Sequence, residues 1–192
     1  MNNLKICIGM PTAGSVKTQT MFSLFKLIKG AKFKIFMSFR ESSLIHRNRE
    51  GLAQEIVDAS CTHLMFIDSD MVFEEDAVDR LLERNKDIIG VNYYKRQLPK
   101  ESTVKIHDEH GKKLFTPNED MFECVAAGTG FMLIKTEVFK KLPHPWFFFE
   151  TDDKGNMTCG EDMWFCRRAR KAGYKIWVDQ TVKVGHIGNY VY

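Results

Sequence analysis

Hydrophobic positions along the first hundred residues recur in two alternating registers. Leu4 to Met10 is a short apolar run stopped by Pro11-Thr12-Ala13-Gly14, which predicts a strand ending in a turn. From Lys17 to Lys29 the residues Met21, Phe22, Leu24, Phe25, Leu27 and Ile28 fall largely on one helical side, and Gly30 supplies a stop. Phe33, Ile35, Met37 and Phe39 then repeat with a period of two, a second strand. From Ser42 the spacing of Leu44, Ile45, Leu52, Ala53, Ile56 and Val57 returns to a helical period. Residues 63–68 read as a third strand. Glu74-Glu75-Asp76 then places acid at the start of a helix carrying Ala77, Val78, Leu81 and Leu82, the end that favours negative charge. Asp87 to Tyr94 reads as another strand.

The second half changes character. Residues 102–116 predict a hairpin around His110-Gly111, Val125 to Ile134 a strand, Thr136 to Leu142 a short helix, and 150–160 a polar loop. Glu161 to Lys171 predicts a helix closed by Gly173, followed by a strand at Tyr174 to Val178 and a tail ending near His186. The fold class that follows is α/β, a mixed and mostly parallel central sheet with helices on both faces. With no internal repeat, low-complexity tract or linker, residues 1–192 are expected to form one domain. Ligands of such sheets bind beyond the carboxyl ends of the strands. That rule gathers Pro11 to Gly14, the turn after the third strand and Arg40 along one rim.

Composition adds bounds. At 192 residues, 44% hydrophobic and 28% charged, the chain has the balance of a soluble globular protein, and fifteen Phe with ten Met predict a thick, adaptable interior. A net charge of +3 suits anionic ligands and is too small to argue for nucleic acid. The five cysteines are scattered without a CxxC pair and read as reduced, which points to a cytoplasmic compartment. No apolar run approaches the roughly 20 residues of a membrane span, and the N-terminus lacks the apolar core of a signal peptide. Trp146 and Phe147 to Phe149 are either core or an exposed aromatic cluster able to dock on a membrane surface.

Four short stretches carry candidate chemistry. The run HLMFIDSDMVF ends a buried strand in Asp68-Ser69-Asp70, two carboxylates two residues apart. Hard cations such as Mn2+ and Mg2+ take oxygen ligands and keep positions for substrate phosphates, so a DxD at a rigid strand end suits them. Aspartate is also common in turns and helix caps, which is the plainer reading of the same residues. Gly160-Glu161-Asp162 opens a helix, as ordinary N-terminal acid or as a general base. Gly185-His186-Ile187-Gly188 offers an imidazole that is either a loop residue or a metal ligand. Ala127-Gly128-Thr129-Gly130-Phe131 lacks the side chains that would keep a ligand from the backbone, and matches neither a Walker loop nor a dinucleotide fingerprint.

Taken in order, strand–DSD, GTGF, GEDMWFCRRARKAGYKIW and GHIG resemble the nucleotide-sugar-dependent glycosyltransferases of the GT-A fold, closest to the family-2-like group. The resemblance runs from IGMPTAG at Ile8 through HRN at His46 to HIG at Ile187, and in its compactness is similar to virus- or phage-type members. It implies a Rossmann-like GT-A domain with residues 1–100 as the nucleotide half and 101–192 as the sugar and acceptor half. Pro11, Thr12, Ala13 and Gly14 would border base and ribose, Arg47 and Asn48 would lie near the nucleotide, and Asp68 with Ser69 would face the ribose or a metal-bound water. Asp70 would ligate Mn2+ or Mg2+ directly, with His186 completing the coordination and Asp68 a less direct partner. Gly128, Thr129 and Gly130 would receive sugar and acceptor, Glu161 would help hold them, and Asp162 would be the general base.

The implied donor is a nucleotide sugar, a UDP-sugar by default. The acceptor is a hydroxyl of a glycan, a lipid-linked molecule or a protein. Because Tyr192 follows so soon on His186, the acceptor site is expected to draw on the 143–160 loop, a partner or another subunit. Two rivals stand beside this reading. One is a haloacid-dehalogenase-like phosphatase, whose first DxD aspartate is a nucleophile. The other is a non-catalytic nucleotide-sugar or glycan-binding module.

Overall fold

The computed structural model describes residues 4–97, 99–108, 110–113, 115 and 119–188. The strongest apolar runs become the centre of a seven-stranded sheet. β1 (Lys5–Thr12) lies between β2 (Lys34–Glu41) and β3 (His63–Ile67), all parallel, with Ile6 opposite both Ile35 and His63. β7 (Phe131–Lys135) then runs antiparallel between β3 and β5 (Ile88–Val91). β10 (Ile176–Asp179) is parallel to β5, and β6 (Met121–Cys124) closes the far edge antiparallel to β10. The order β2-β1-β3-β7-β5-β10-β6 is the expected mixed, mostly parallel sheet.

Alternation along the strands divides the core in two. Ile6, Ile8 and Met10 of β1 face α1 (Thr18–Gly30) and α3 (Ala77–Glu83), where Leu24, Leu27, Val78 and Leu81 are fully buried. Cys7, Leu64 and Phe66 face the other side, packed under α2 (Ile45–Asp58), α4 (Thr136–Lys141) and α5 (Glu161–Lys171). Three layers result, as a sheet apolar on both faces requires. All five cysteines are free, and burial pushes the Cys7 and Cys166 thiols up to about 12, so these two are core side chains.

Several expectations shift. The run expected as one strand from Val125 to Ile134 is divided. The chain leaves the edge strand β6 at Cys124, level with Ile176 at the start of β10, passes back over the core through Ala126 and Ala127, and re-enters as β7 at the carboxyl end of β3. The polar loop 150–160 is a small hairpin of β8 (Glu150–Thr151) and β9 (Met157–Cys159), whose Asp152 carboxylate accepts the Lys154 and Asn156 amides. In the 102–116 segment, of which residues 109, 114 and 116 lie outside the described residues, His107 bridges to Lys113 around a turn capped by Asp108. Three short strands have no counterpart in the expected elements: the edge strand β6, and β4 (Met71–Phe73) with β11 (Val184–His186), which pair antiparallel outside the main sheet. Trp146 and Phe147 are core, leaving Phe148 as the exposed member of that cluster. Among the described residues no helix is long and apolar enough to cross a membrane.

Candidate functional site

β3 delivers Asp68 to the carboxyl rim of the sheet. The Asp68 amide donates to the Gly130 carbonyl (2.8 Å), which clamps the DSD turn to the 125–130 crossing. On its other side the Ser69 carbonyl accepts the Lys17 amide (2.8 Å) and the Thr20 hydroxyl, tying the turn to the start of α1. Asp70 opens β4, and its carbonyl accepts the Ile187 amide (2.8 Å) across the β4–β11 ribbon. That ribbon brings Asp70 and His186 together although they are far apart in the chain.

The two carboxylates of the turn enter different surroundings. Asp70 Oδ1 lies 3.3 Å from His186 Nε2, and its Oδ2 lies 2.7 Å from Arg96 Nη1. Burial alone would raise the Asp70 pKa, but His186 and Arg96 outweigh it and the group stays below the ordinary aspartate range. Burial would lower His186, but the same contact with Asp70 outweighs it and raises the imidazole. His186 Nδ1 sits 3.0 Å from the Tyr94 carbonyl, which only accepts, so Nδ1 carries a proton and Nε2 is turned to Asp70.

Asp68 faces inward, to Arg49. Arg49 is 2% exposed, and its Nη2 lies 3.0 Å from Asp68 Oδ1 and donates to Oδ2 at 3.1 Å. Arg49 Nε reaches Glu161 Oε1 at 3.4 Å and Asp162 Oδ1 at 4.0 Å, and Nη1 donates to the Thr129 carbonyl at 3.5 Å. One arginine therefore gathers three carboxylates and the crossing loop, with its guanidinium over the Phe66 ring. Burial would lower the Arg49 pKa, but the charges of Asp68, Asp162 and Glu161 prevail and raise it. Asp68 is raised, chiefly by burial and against the pull of Arg49. Asp162 is pushed up to about 6 by burial and the neighbouring Glu161 charge, moderated by Arg49 and by the Thr129 hydroxyl, which donates to Asp162 Oδ1 at 2.5 Å.

The crossing loop needs its glycines. A Cβ on Gly130 would stand 2.5 Å from the Tyr93 hydroxyl and 2.7 Å from Asp68 Oδ2, and one on Gly128 would meet the same hydroxyl at 2.5 Å. Tyr93, buried beneath the loop, accepts the Gly130 amide at 2.9 Å and sets its ring edge-on to His186. The cleft above encloses about 1290 Å³. Asp68, Glu161, Asp162 and His186 line it, together with the basic side chains Arg49, Lys95, Arg96 and Lys100.

Around the rim, Thr12 knits its own turn: its hydroxyl donates to the Ser15 carbonyl and accepts the Gly14 amide, with Gly14 at φ +105°. Pro11 is buried at the strand end, and Ala13 and Gly14 are exposed. Asn48 is buried and braces this turn, donating to the carbonyls of Thr12 and Ser42. Arg47 is exposed on α2, and among the described residues its side chain has no recorded hydrogen bond or ion pair. Arg40 lies on the α2 side of β2, 3.8 Å from Glu55 and away from the DSD turn. The arginine that enters the site is Arg49. Its spacing to Leu52, Ala53 and Ile56 (i, i+3, i+4, i+7) marks it as a residue of the buried helix face.

Asp70 Oδ1 and His186 Nε2 suit a shared divalent cation. Adjacent ligand atoms of a six-coordinate Mn2+ or Mg2+ lie about 3 Å apart, close to the 3.3 Å between them. Among the described residues no group of three or more His, Cys, Asp or Glu side chains converges to hold an ion, so protein ligation there rests on two groups.

No family model and no curated protein matches this sequence. Solved structures do match. A197 from STIV superposes with a TM-score of 0.67 at 19% identity, covering 96% of this chain and 85% of that one. A structure of GalNAc-T7 with UDP, GalNAc and Mn2+ gives 0.53 at 13% identity, and S. aureus TarS 1–349 gives 0.51 at 16%. These cover 98% and 95% of this chain, which spans 44% and 60% of theirs. At such identities the likeness concerns the backbone, and the architecture it establishes is the GT-A fold.

Proposed function

We propose that this protein is a metal-dependent glycosyltransferase that moves a sugar from a nucleotide-diphosphate sugar, a UDP-sugar first among them, to a hydroxyl of a glycan, lipid-linked or protein acceptor. One observation carries the reading. One cleft at the strand ends is lined by His186, which holds the buried Asp70 at 3.3 Å, and by Asp162 beside Arg49. The GalNAc-T7 structure holds UDP, GalNAc and Mn2+, which supports this donor and metal class.

In this proposal Asp70 and His186 hold Mn2+ or Mg2+, with Asp68 a less direct partner because Arg49 pairs with it and donates to its Oδ2. When bound, the ion supplies Lewis-acid stabilisation of the charge that develops on the diphosphate. Lys95, Arg96 and Lys100 face the same cleft and add to that stabilisation. The Pro11 to Gly14 turn, steadied by Asn48, borders the base, and Asp68 with Ser69 borders the ribose. Arg47, at the outer end of α2, is left for the nucleotide's solvent side. The open backbone at Gly128 and Gly130 receives the sugar, with Glu161 beside it.

Asp162 takes the proton of the attacking hydroxyl. A base with a pKa of about 6 is ionised at neutral pH yet basic enough to accept that proton, and such assistance is worth about 10²–10⁴ in rate. Arg49 and Thr129 fix the direction of its carboxylate. The phosphatase alternative needs a first DxD aspartate free for in-line attack, and the Arg49 pairing of Asp68 argues against it.

Thermal-shift measurements with UDP-, GDP-, dTDP- and CMP-sugars, with and without Mn2+, followed by a turnover assay, test the reading. A metal-dependent shift with one donor, lost in Asp70→Ala, is expected. Phosphate release from simple monoesters without response to any nucleotide sugar would overturn it. Binding without turnover would favour the non-catalytic module.

A further inference from the structure

The outer side of α1 is apolar where a helix covering a sheet is ordinarily polar. Its inner face is complete, with Thr20, Ser23, Leu24 and Leu27 buried. Phe22 and Phe25 nevertheless stand 62% and 60% exposed one turn apart, and Ile28 follows at 42%. Phe39, at the end of the edge strand β2, is 48% exposed. Alternation puts it on the sheet face of Ile35 and Met37, the face α1 covers. Lys26 and Lys29 project on the same arc of the helix, and among the described residues neither has a recorded ion-pair partner. Lys32, just beyond, is coupled to Asp79 of α3 and is left out of this set.

Charge along the chain is partitioned to match. Residues 1–40 contain seven Lys and Arg and no Asp or Glu. Residues 41–192, with the other twenty-one basic and all twenty-five acidic residues, carry −4. The net +3 thus conceals a basic, aromatic N-terminal flank on an otherwise acidic molecule.

We infer that the outer face of α1 is a membrane-docking surface, with Phe22, Phe25, Ile28 and Phe39 entering the interface of an anionic bilayer and Lys26 and Lys29 meeting its headgroups. Aromatic and aliphatic side chains flanked by lysine are the composition that such interfaces bind, and residues 1–40 add no acid of their own to oppose approach. A second copy fits the face less well, because a two-fold contact would set Lys26 and Lys29 of one protomer against the same lysines of the other. The inference is independent of the transferase reading. It does fix an orientation: the Thr18 end of α1 adjoins the DSD turn, so a bilayer along this helix would pass beside the rim of the cleft.

The test is flotation of the full chain with phosphatidylcholine vesicles, with and without phosphatidylserine. Partition about tenfold stronger onto the anionic vesicles, weakened by added salt, is expected. Phe22→Ser with Phe25→Ser should reduce it about tenfold. Lys26→Glu with Lys29→Glu should abolish the preference for phosphatidylserine. All four positions are exposed, so both double variants should keep the wild-type melting temperature, and the lysine pair decides the matter alone should the phenylalanine pair unfold. Equal partition onto both vesicle types, or partition unmoved by the lysine pair, overturns the proposal. So does a concentration-dependent dimer on gel filtration that Phe22→Ser with Phe25→Ser dissolves, which would make the face a contact between copies.

Discussion

Asp68 and Asp70 are two residues apart in one turn, and the fold places them in opposite chemical settings. Asp68 lines the cleft yet turns inward to a single buried arginine, which balances it together with Glu161 and Asp162. Asp70, the less exposed of the two, turns outward to a histidine of the cleft wall and a half-exposed arginine. Their pKa values move apart accordingly, Asp68 up and Asp70 down. Chemical identity and proximity in sequence therefore do not decide a carboxylate's part. The inward cluster is internally neutralised and suited to holding geometry and a tuned base. The outward pair sets two ligand atoms 3.3 Å apart beside the cleft that His186 lines, an arrangement suited to capturing a cation.

Variants can break that contrast. The largest effect is expected at the base of the inward cluster: Asp162→Asn should lower kcat about 10²–10⁴-fold with donor binding retained, as read by steady-state kinetics beside donor titration. Lost donor binding would make Asp162 a structural residue. Arg49→Met should come next, leaving three carboxylates without their counter-ion and reducing stability at neutral pH by about 3–5 kcal/mol in urea denaturation. The deficit should shrink on acidification, because carboxylates deprived of Arg49 take up protons more readily in the folded state than in the unfolded one.

Gly130→Ala forces a Cβ against Tyr93 and Asp68 and should cost about 1–3 kcal/mol, detected as a lowered Tm. For pH, Asp162 is raised from 3.8 to about 6, and its basic form is lost as pH falls through that value. Turnover should therefore drop about tenfold per unit below pH 6, and a limb centred near 4 would show an unperturbed base. The smallest effect belongs to the outward pair: Arg96→Ala frees Asp70 and should tighten Mn2+ binding about two- to fivefold, the worth of an exposed ion pair, by calorimetric titration.

The sheet and helices were largely legible because long periodic runs such as Lys17 to Lys29 and Phe33 to Phe39 obey one register. The DSD turn was legible from the abrupt change at Ile67-Asp68. The β4–β11 ribbon was not, since three-residue strands carry too few positions to show a period, and a pairing across more than a hundred residues leaves no local trace. Two arginines stand two apart in HRNRE, and the family resemblance pointed to Arg47. The apolar spacing through Leu52 and Ile56 points to Arg49, but a charged residue on a buried face is readable only once its partners are known, and those come from distant segments. The crossing at 125–130 was hidden for the opposite reason, inside a largely apolar stretch from Val125 to Ile134 that folds as a loop and a central strand.

The β4–β11 ribbon has a consequence of its own. His186 is held to Asp70 by a pairing of three residues on each strand, outside the seven-stranded sheet. Opening that clasp would dissolve the Asp70–His186 junction and leave the main sheet, both core layers and the Arg49 cluster in place. Assembly of this corner is thus a local equilibrium superimposed on the global one, and amide exchange at Ile187 would report it separately from the exchange of β1 or β3.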